Sequence, residues 1–231
     1  MRTYVSPIGY NTTSVTRPVL LSRGLETDDE VVLLRPDTGT DDSRAESAIT
    51  DVERMLEEIE PTVGLTTEYV THRDFSGAVL ECSDVIRAAK GTTLISLSGG
   101  ARDVLVPLTI ATVAHAPQID TVLAFSDIDG RVRECELPML TADVPSSARE
   151  TLALIGGNAE GISIPDLTER SGQAKSTVTR HVSQLANDGV VATWQDGKTK
   201  HARTTLTGQL LLRAAQEHPV RNQSKEDEGP G

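Results

Sequence analysis

The residues best suited to chemistry form a short run with two adjacent glycines, Ser98-Gly99-Gly100-Ala101-Arg102. The run joins an apolar stretch at residues 94–97 to an apolar-periodic stretch at residues 101–116, which predicts a strand, a tight turn and a helix. The first amides of a helix attract phosphate, and glycine lets the backbone approach a ligand closely. Arg102 would add a forked donor there. The run therefore predicts a phosphate-binding turn, although a plain turn can have the same residues.

A second run of polar residues follows the first predicted strand, residues 3–5. It is a loop punctuated by proline and glycine, Ser6-Pro7-Ile8-Gly9-Tyr10-Asn11. Parallel strands end at the same edge of a sheet, and ligands bind along that edge. The loop is therefore predicted to share one crevice with residues 98–102.

A third group of polar residues, near the carboxyl end, is typical of DNA recognition. Ser163 can cap a helix that Gly172 ends, and residues 175–187 form the next helix, which is the spacing of a helix-turn-helix. A hairpin follows, and its predicted tip at residues 195–200 has two lysines. Small hydroxyl and basic side chains suit a major groove and its phosphates. The predicted DNA-contacting residues are Lys175, Ser176, Thr177, Thr179, Arg180, Ser183, Lys198 and Lys200. The alternative is a winged helix that binds another protein.

The elements that must position these groups alternate between strand and helix four times and then close with two strands. The last two strands are joined by Asp127-Ile128-Asp129-Gly130, a hairpin signal. This order predicts an α/β, Rossmann-like domain with a mostly parallel six-stranded sheet and an antiparallel edge. A winged helix-turn-helix domain of the α+β class follows. The predicted bounds are 1–138 for the first domain, 139–145 for a linker, 146–217 for the second domain and 218–231 for a disordered tail. There is no G-x-G-x-x-G run after the first strand and no Walker A run.

Single residues predict where four helices begin, bend or pack. Pro18 is placed in the first turn of a helix at residues 14–23, and Pro107 is expected to kink its helix or to mark its start. Ile59 is expected on the buried face of a helix at residues 45–60. Ser146 is expected to cap the first helix of the second domain.

The composition limits the compartment and the partners. The net charge is −12, and residues 146–231 hold ten basic and ten acidic residues, so the whole negative charge lies in residues 1–145. The net charge argues at face value against a nucleic-acid partner, but the neutral carboxyl part can still bind one. Two widely separated cysteines, Cys82 and Cys135, favour a reducing cytoplasm over a disulfide framework. No apolar run approaches the ~18 residues of a membrane span, so a cytoplasmic protein is expected.

The two loops, in this order and ahead of a winged helix, resemble the CRISPR-associated transcription regulators of archaea that join a CARF domain to a winged helix-turn-helix. The resemblance extends from the first strand to Gln216. It implies an antiviral-defence regulator that is a homodimer and binds double-stranded DNA. It also implies that a cyclic oligoadenylate, most often cyclic tetra-adenylate, binds where the two CARF crevices meet, with Tyr10 able to stack on an adenine. The implied ligand-binding residues are Ser6, Pro7, Gly9, Tyr10, Asn11, Ser98, Gly99, Gly100, Ala101 and Arg102.

Two other functions remain open at this point. Some CARF domains slowly cleave the cyclic ligand, so the chain could be a ring nuclease in which Ser98, Arg102 and Asn11 position the 2′-hydroxyl. No general base is evident, because His72 and His115 are far in sequence from both loops. Alternatively, the chain is a regulator that senses another nucleotide or no ligand. No metal or cofactor is expected, since the paired acids of the Asp127–Gly130 segment are typical of a turn.

Overall fold

The computed structural model describes residues 1–22, 24–39, 42–139 and 141–215. Contacts divide the chain into two units, Met1–Thr141 and the chain from Ala142 onward. The predicted tail at residues 218–231 and Gln216, where the resemblance ends, lie outside the described residues. Arg23, the predicted end of the first helix, lies outside them as well.

The first unit is built on a six-stranded sheet of order β3-β2-β1-β4-β5-β6. The first five strands run parallel, and the last pairs antiparallel with β5. The predicted Rossmann-like fold, with its antiparallel edge, is confirmed. The strands are β1 (Arg2–Pro7), β2 (Glu30–Asp37), β3 (Gly64–Thr71), β4 (Thr92–Ser96), β5 (Thr121–Phe125) and β6 (Val132–Glu134).

Four helices cover the two faces of this sheet: α1 (Thr13–Ser22), α2 (Ser43–Ile59), α3 (Phe75–Ala88) and α4 (Arg102–Ala114). Side chains alternate across each strand, so neighbours such as Leu33 and Leu34 enter different cores. Leu33 packs with Val15 of α1 and Val52 of α2. Leu34 packs in the core that α3 and α4 cover. Because both faces are covered, successive residues of a central strand are buried, as in the apolar run Val31–Leu34 of β2.

The loops after β1 and β4 diverge in the middle of the sheet. The chain leaves β1 toward β2 and β3 on one side, whereas β4 leads to β5 on the other side of β1. Adjacent parallel strands whose connections turn away in opposite directions leave a crevice at their carboxyl ends, where ligands bind in such folds. The fold thus brings together the two runs that the sequence singled out.

Several predicted details of this unit are wrong. Pro18 lies in the middle of α1, because Asn11 accepts a hydrogen bond from the Thr13 amide (2.9 Å) and the helix begins there. Pro107 does not mark the start of α4, which begins at Arg102, and the alternative of a kink at Pro107 stays a prediction. Ile59 is 46% exposed, because it ends α2 beyond the last turn that the sheet covers. Ser6 and Pro7 were expected in a loop but continue β1, paired with β2.

A buried ion pair fastens the start of β1 to the turn before β2. The Asp29 carboxylate accepts hydrogen bonds from the Arg2 amide (2.7 Å), the Arg2 Nε (3.0 Å) and the Glu26 amide (2.9 Å). Burial opposes ionisation of Asp29, but the hydrogen bonds from Arg2 and Glu26 outweigh it and lower the pKa of this carboxyl below 3.8.

Asp29→Asn is expected to lower the free energy of unfolding by about 3 kcal/mol, because it removes the buried carboxylate that pairs with the Arg2 guanidinium and leaves only the exposed Glu26 carboxylate as counter-ion. The folded-state pKa of Asp29 is depressed, so its contribution is present above the unfolded pKa and is lost as pH falls through the folded value. Denaturant titrations at pH 7 and at pH 3 would measure this, and the difference between the two proteins should shrink at pH 3. Asp51→Asn, which breaks an exposed pair with Arg54, is the control and should change stability by less than about 1 kcal/mol. Equal effects of the two substitutions would contradict the prediction.

The second unit is a winged helix. Its elements are α5 (Arg149–Gly156), β7 (Ile162–Ser163), α6 (Ile164–Ser171), α7 (Lys175–Asn187), β8 (Val191–Asp196), β9 (Thr199–Thr204) and α8 (Leu206–Ala214). The three strands form an antiparallel sheet of order β7-β9-β8. The winged helix-turn-helix prediction is confirmed. Ser146 does not cap α5, because it begins a short 3-10 turn and α5 starts only at Arg149. The short strand β7 was not predicted.

Candidate functional sites

The loops after β1 and β4 lie in backbone contact. A Cβ atom built on Gly9 would lie 3.3 Å from the Cα of Gly100, and one built on Gly100 would lie 2.6 Å from the Cβ of Pro7. Gly100 also has a φ of +70°, which favours glycine. Glycine is therefore favoured at both positions for a structural reason, because the absence of a Cβ lets one loop pack on the other.

The two loops border a cleft of about 400 Å³ at the carboxyl end of the sheet. This volume lies in the range of small-ligand sites, roughly 300–1,000 Å³. Six of the ten predicted ligand-binding residues line it: Gly9, Tyr10, Asn11, Gly99, Gly100 and Ala101. The cleft also has lining residues that the sequence did not single out for binding: Ile8, Ser14, Arg35, Pro36, Thr38, Asp42, Ala45 and Asp127.

The other four predicted residues do not line this cleft. Ser6 is 1% exposed, and its hydroxyl donates to the Pro7 carbonyl (3.3 Å). Ser98 is also buried, and its hydroxyl accepts a hydrogen bond from the Phe125 amide (2.6 Å), which ties the β4 loop to β5. Pro7 lies against Gly100. Arg102 is exposed as the first residue of α4.

The amino terminus of α4 follows the cleft directly. Ala101 precedes the helix and has no side-chain oxygen, and no described side chain caps this end. The amides of Val104 and Leu105 bond to the Ala101 carbonyl (3.0 and 2.9 Å). An uncapped helix start is a place where an anion satisfies the first amides. Asp103 in the first turn competes for the same partial positive charge.

Tyr10 is held at the cleft by two residues of the α2 start. Its hydroxyl donates to Asp42 Oδ2 (2.9 Å), and the Arg44 guanidinium lies 4.4 Å from the ring centroid. This hydrogen bond lowers the pKa of Asp42 and raises the pKa of Tyr10, so the phenol stays neutral. Asp42 also caps α2 by accepting from the amides of Arg44 and Ala45. The Tyr10 ring lies beside the Arg44 guanidinium and is still 58% exposed, which leaves a surface on which a base can stack.

The helix-turn-helix is set by local signals. The Ser163 hydroxyl accepts from the Asp166 amide (3.1 Å) at the start of α6, and Gly172 ends that helix with a φ of +64°. α7 buries Val178, Val182 and Leu185, so its opposite side faces solvent. On that side Lys175, Ser176, Thr179 and Arg180 are exposed, whereas Thr177 and Ser183 are half-buried.

His181 of α7 is buried, although the sequence alone does not single it out. Its Nδ1 lies 3.0 Å from the Thr151 hydroxyl of α5, so it helps to fix α7 to the rest of the unit. A histidine among polar neighbours in a helix gives no sequence signal for this contact.

The wing is tighter than predicted. β8 and β9 pair up to Asp196 and Thr199, so the turn contains only Gly197 and Lys198. Glycine at the first position of a two-residue turn is typical of hairpins. Lys198 is exposed in this turn, but Lys200 lies within β9 opposite Gln195 and is half-buried. The predicted tip with two lysines therefore has one.

Aromatic and cationic side chains lie together on one face of the wing. The Trp194 and His201 rings stack with their centroids 5.3 Å apart. The Arg203 guanidinium lies 5.9 Å from the Trp194 ring.

The described residues contain no group of three or more His, Cys, Asp or Glu side chains placed to hold a metal ion. None of the described helices has both the length and the apolar character needed to cross a bilayer.

The fold and the two sites define a class: a Rossmann-like domain with a crevice at its topological switch point, joined to a winged helix-turn-helix. The profile of the Csa3 CRISPR-associated Rossmann-like domain matches residues 2–133, and the chain belongs to this family. A winged helix-turn-helix DNA-binding family matches residues 147–192. No curated protein matches the chain at a significant level of sequence similarity.

Solved structures resemble the chain in whole or in part. Csm6 from Enterococcus italicus, bound to cyclic hexa-2'-fluoro-hexa-dAMP, is 10% identical, with 81% of this chain and 49% of that chain covered and a TM-score of 0.50. Can2 from Sulfobacillus thermosulfidooxidans, in complex with cyclic tetra-adenylate, is 14% identical, with 95% and 59% covered and a TM-score of 0.42. HlyU from Vibrio cholerae is 23% identical, with 34% and 89% covered and a TM-score of 0.29. The chain spans only about half to three-fifths of the Csm6 and Can2 chains, and at such identities the likeness concerns the fold alone.

Proposed function

We propose that this protein is a CRISPR-associated transcription regulator that binds a cyclic oligoadenylate, with cyclic tetra-adenylate as the first candidate, and binds double-stranded DNA through its winged helix. The observation that carries the proposal is the cleft at the switch point of the sheet. There the residue pairs Gly9–Tyr10 and Gly99–Gly100 meet in a chain of a CRISPR-associated family. The exposed Tyr10 ring and the uncapped start of α4 supply a stacking surface and an anion-binding end.

The ligand's symmetry supports a homodimer. A cyclic tetranucleotide has two-fold symmetry and four phosphates, so two copies of one cleft would offer it matched contacts. We assign the face for the second copy to α4, which follows the cleft, and to α3, which covers the same core. Four large apolar side chains on α3 and α4 are exposed: Phe75 (56%), Leu80 (65%), Val106 (47%) and Ile110 (43%). Neighbouring exposed apolar side chains mark an interaction surface.

DNA binding is supported by the exposed side of α7. Lys175 and Arg180 provide cations, and Ser176 and Thr179 provide small hydroxyl groups at the amino end of the helix. This end of a recognition helix enters the major groove, and Lys198 at the wing turn can reach a flanking phosphate. A ligand at the dimer axis would change the placement of the two winged helices, and the half-site spacing would then decide DNA affinity.

Calorimetry of the full chain with cyclic tetra-adenylate tests the ligand. The expected result is saturable heat with one ring per two chains. Absence of heat, together with no thermal shift from tri- or hexa-adenylate rings, would remove the sensing half of the proposal. Incubation followed by chromatography separates binding from cleavage, because a ring nuclease would release linear adenylate.

Arg180→Ala is expected to weaken DNA binding about ten- to a hundredfold, since one good base contact contributes about 1–3 kcal/mol. Fluorescence anisotropy on a duplex selected by the wild-type protein from a random pool would measure it. Arg213→Ala on α8 removes the same charge from an exposed site outside the helix-turn-helix and should change affinity by less than about threefold. If both substitutions weaken binding equally, α7 has no special role in DNA recognition.

A further inference from the structure

The cleft contains a buried cation that the sequence did not single out. Arg35 lies near the end of β2, lines the cleft and is 5% exposed. Strand alternation places it on the same side of the sheet as Leu33, beneath α2. There its Nη1 atom pairs with Glu46 Oε1, and its guanidinium lies 5.5 Å from the Tyr69 ring centroid.

This ion pair leaves the guanidinium incompletely satisfied. Among the described residues, the Nε atom of Arg35 is buried and has no hydrogen-bond partner. Buried charged donors nearly always have partners, and an orphan among them needs an explanation. The Glu46 side chain is 53% exposed and contacts only one edge of the guanidinium, so it does not supply the missing acceptor.

The two carboxylates that line the cleft, Asp42 and Asp127, do not supply this acceptor either, and the other cations nearby are occupied or lie outside the cleft. Asp42 is engaged by the Tyr10 hydroxyl and by the amides at the start of α2. Arg44 lies over the Tyr10 ring. Arg102, the cation expected from the sequence, is exposed and does not line the cleft. Of the described residues that line the cleft, Arg35 is the one cation, in a unit whose net charge is strongly negative.

We propose that Arg35 is a phosphate-binding residue of the ligand site, an inference that rests on the proposed function. Its Nε–H and one terminal N–H form a planar fork, which matches two oxygens of a phosphodiester. Glu46 holds the opposite edge and so orients that fork toward the cleft. The acidic unit can then bind an anionic ring because the cation is local and shielded from water, where its attraction to phosphate is strong.

Three variants of the full chain test this with cyclic tetra-adenylate in calorimetry. Arg35→Gln is expected to weaken binding at least about tenfold, because a hydrogen bond to a charged group contributes about one to two decades of affinity. Glu46→Gln keeps an Oε1 acceptor for the opposite edge of Arg35 and removes a competing anion, so affinity should stay the same or rise. Arg54→Gln removes an exposed cation on the outer side of α2 and should leave affinity within about twofold.

The outcomes separate this inference from the proposed function. If wild type does not bind, the proposed ligand is wrong. If wild type binds and Arg35→Gln binds equally well, only the inference fails. If Glu46→Gln weakens binding as much as Arg35→Gln, Arg35 acts through the ion pair and not on phosphate.

Arg35→Lys gives a second readout if Arg35→Gln does not fold. Lysine keeps the charge and can still pair with Glu46, but it lacks the fork. The inference expects a thermal midpoint close to that of wild type together with affinity about tenfold weaker. Wild-type affinity in this variant would overturn the role of the fork.

Discussion

Gly100→Ala is expected to weaken binding of cyclic tetra-adenylate at least about tenfold and to lower the free energy of unfolding by about 2–4 kcal/mol. The new Cβ would lie 2.6 Å from the Cβ of Pro7 and 3.2 Å from its carbonyl carbon, both parts of rigid backbone or ring. The loop after β4 must then move off the end of β1, which changes the floor of the cleft. Calorimetry gives the affinity, and denaturant unfolding gives the stability.

Gly24→Ala is the matched control for this substitution. Gly24 has a similar φ of +67°, but a Cβ there would have no neighbour within 4 Å. Gly24→Ala should lower the free energy of unfolding only by the left-handed backbone strain, about 1–2 kcal/mol, and leave ligand affinity unchanged. Equal losses of stability in the two variants would show that backbone strain alone matters at Gly100 and that the loops are not in tight contact.

The double substitution Val106→Glu with Ile110→Glu is expected to give a monomer and, with it, to lose most of the affinity for the cyclic ligand. Both side chains are exposed on one side of α4, one turn apart, directly after the cleft. Near a two-fold axis each carboxylate would face its own copy, and like charges without counter-ions strongly oppose association. Analytical ultracentrifugation of wild type and variant at equal concentration would show the change in mass.

Ile59→Glu separates this effect from a general loss of solubility or folding. Ile59 has nearly the same exposure as Ile110, 46% against 43%, but it lies on α2, on the other face of the sheet. It should leave the assembly state and the ligand affinity unchanged. A wild-type protein that sediments as a monomer at all concentrations would contradict the proposed dimer face.

Sequence patterns predict the meeting of the two loops because it follows from topology. Once β1 and β4 are recognised as parallel strands ending at one edge, Gly9 and Gly100 must lie near each other. The helix-turn-helix is predictable for a different reason: its ends are set by neighbours in sequence. Ser163 bonds three residues ahead, and Gly172 ends α6 through its own backbone.

The direction in which a side chain points, and contacts between residues far apart in sequence, are harder to predict. Arg102 does not line the cleft, since its spacing from Gly100 does not determine where a first-turn side chain projects, and its contact with the ligand stays a prediction. Arg35 ends a strand-like run, and its ion pair depends on the packing of α2 under the sheet. Tyr10 meets Asp42 across 32 residues. At the wing, cross-strand pairing of Gln195 with Lys200 extends the ladder, and Gly197, typical of a two-residue turn, is the nearby signal for it.

The stack of Trp194 on His201 gives the molecule an internal spectroscopic label. Trp194 is the only tryptophan of the chain and lies in the winged unit, 38% exposed. Emission excited at the red edge of the absorption band therefore reports on that unit alone, whereas circular dichroism reports on both. A nucleotide bound in the first unit can shift this emission only if its effect reaches the wing. Coupling between sensing and DNA recognition can thus be followed in solution without attaching a dye.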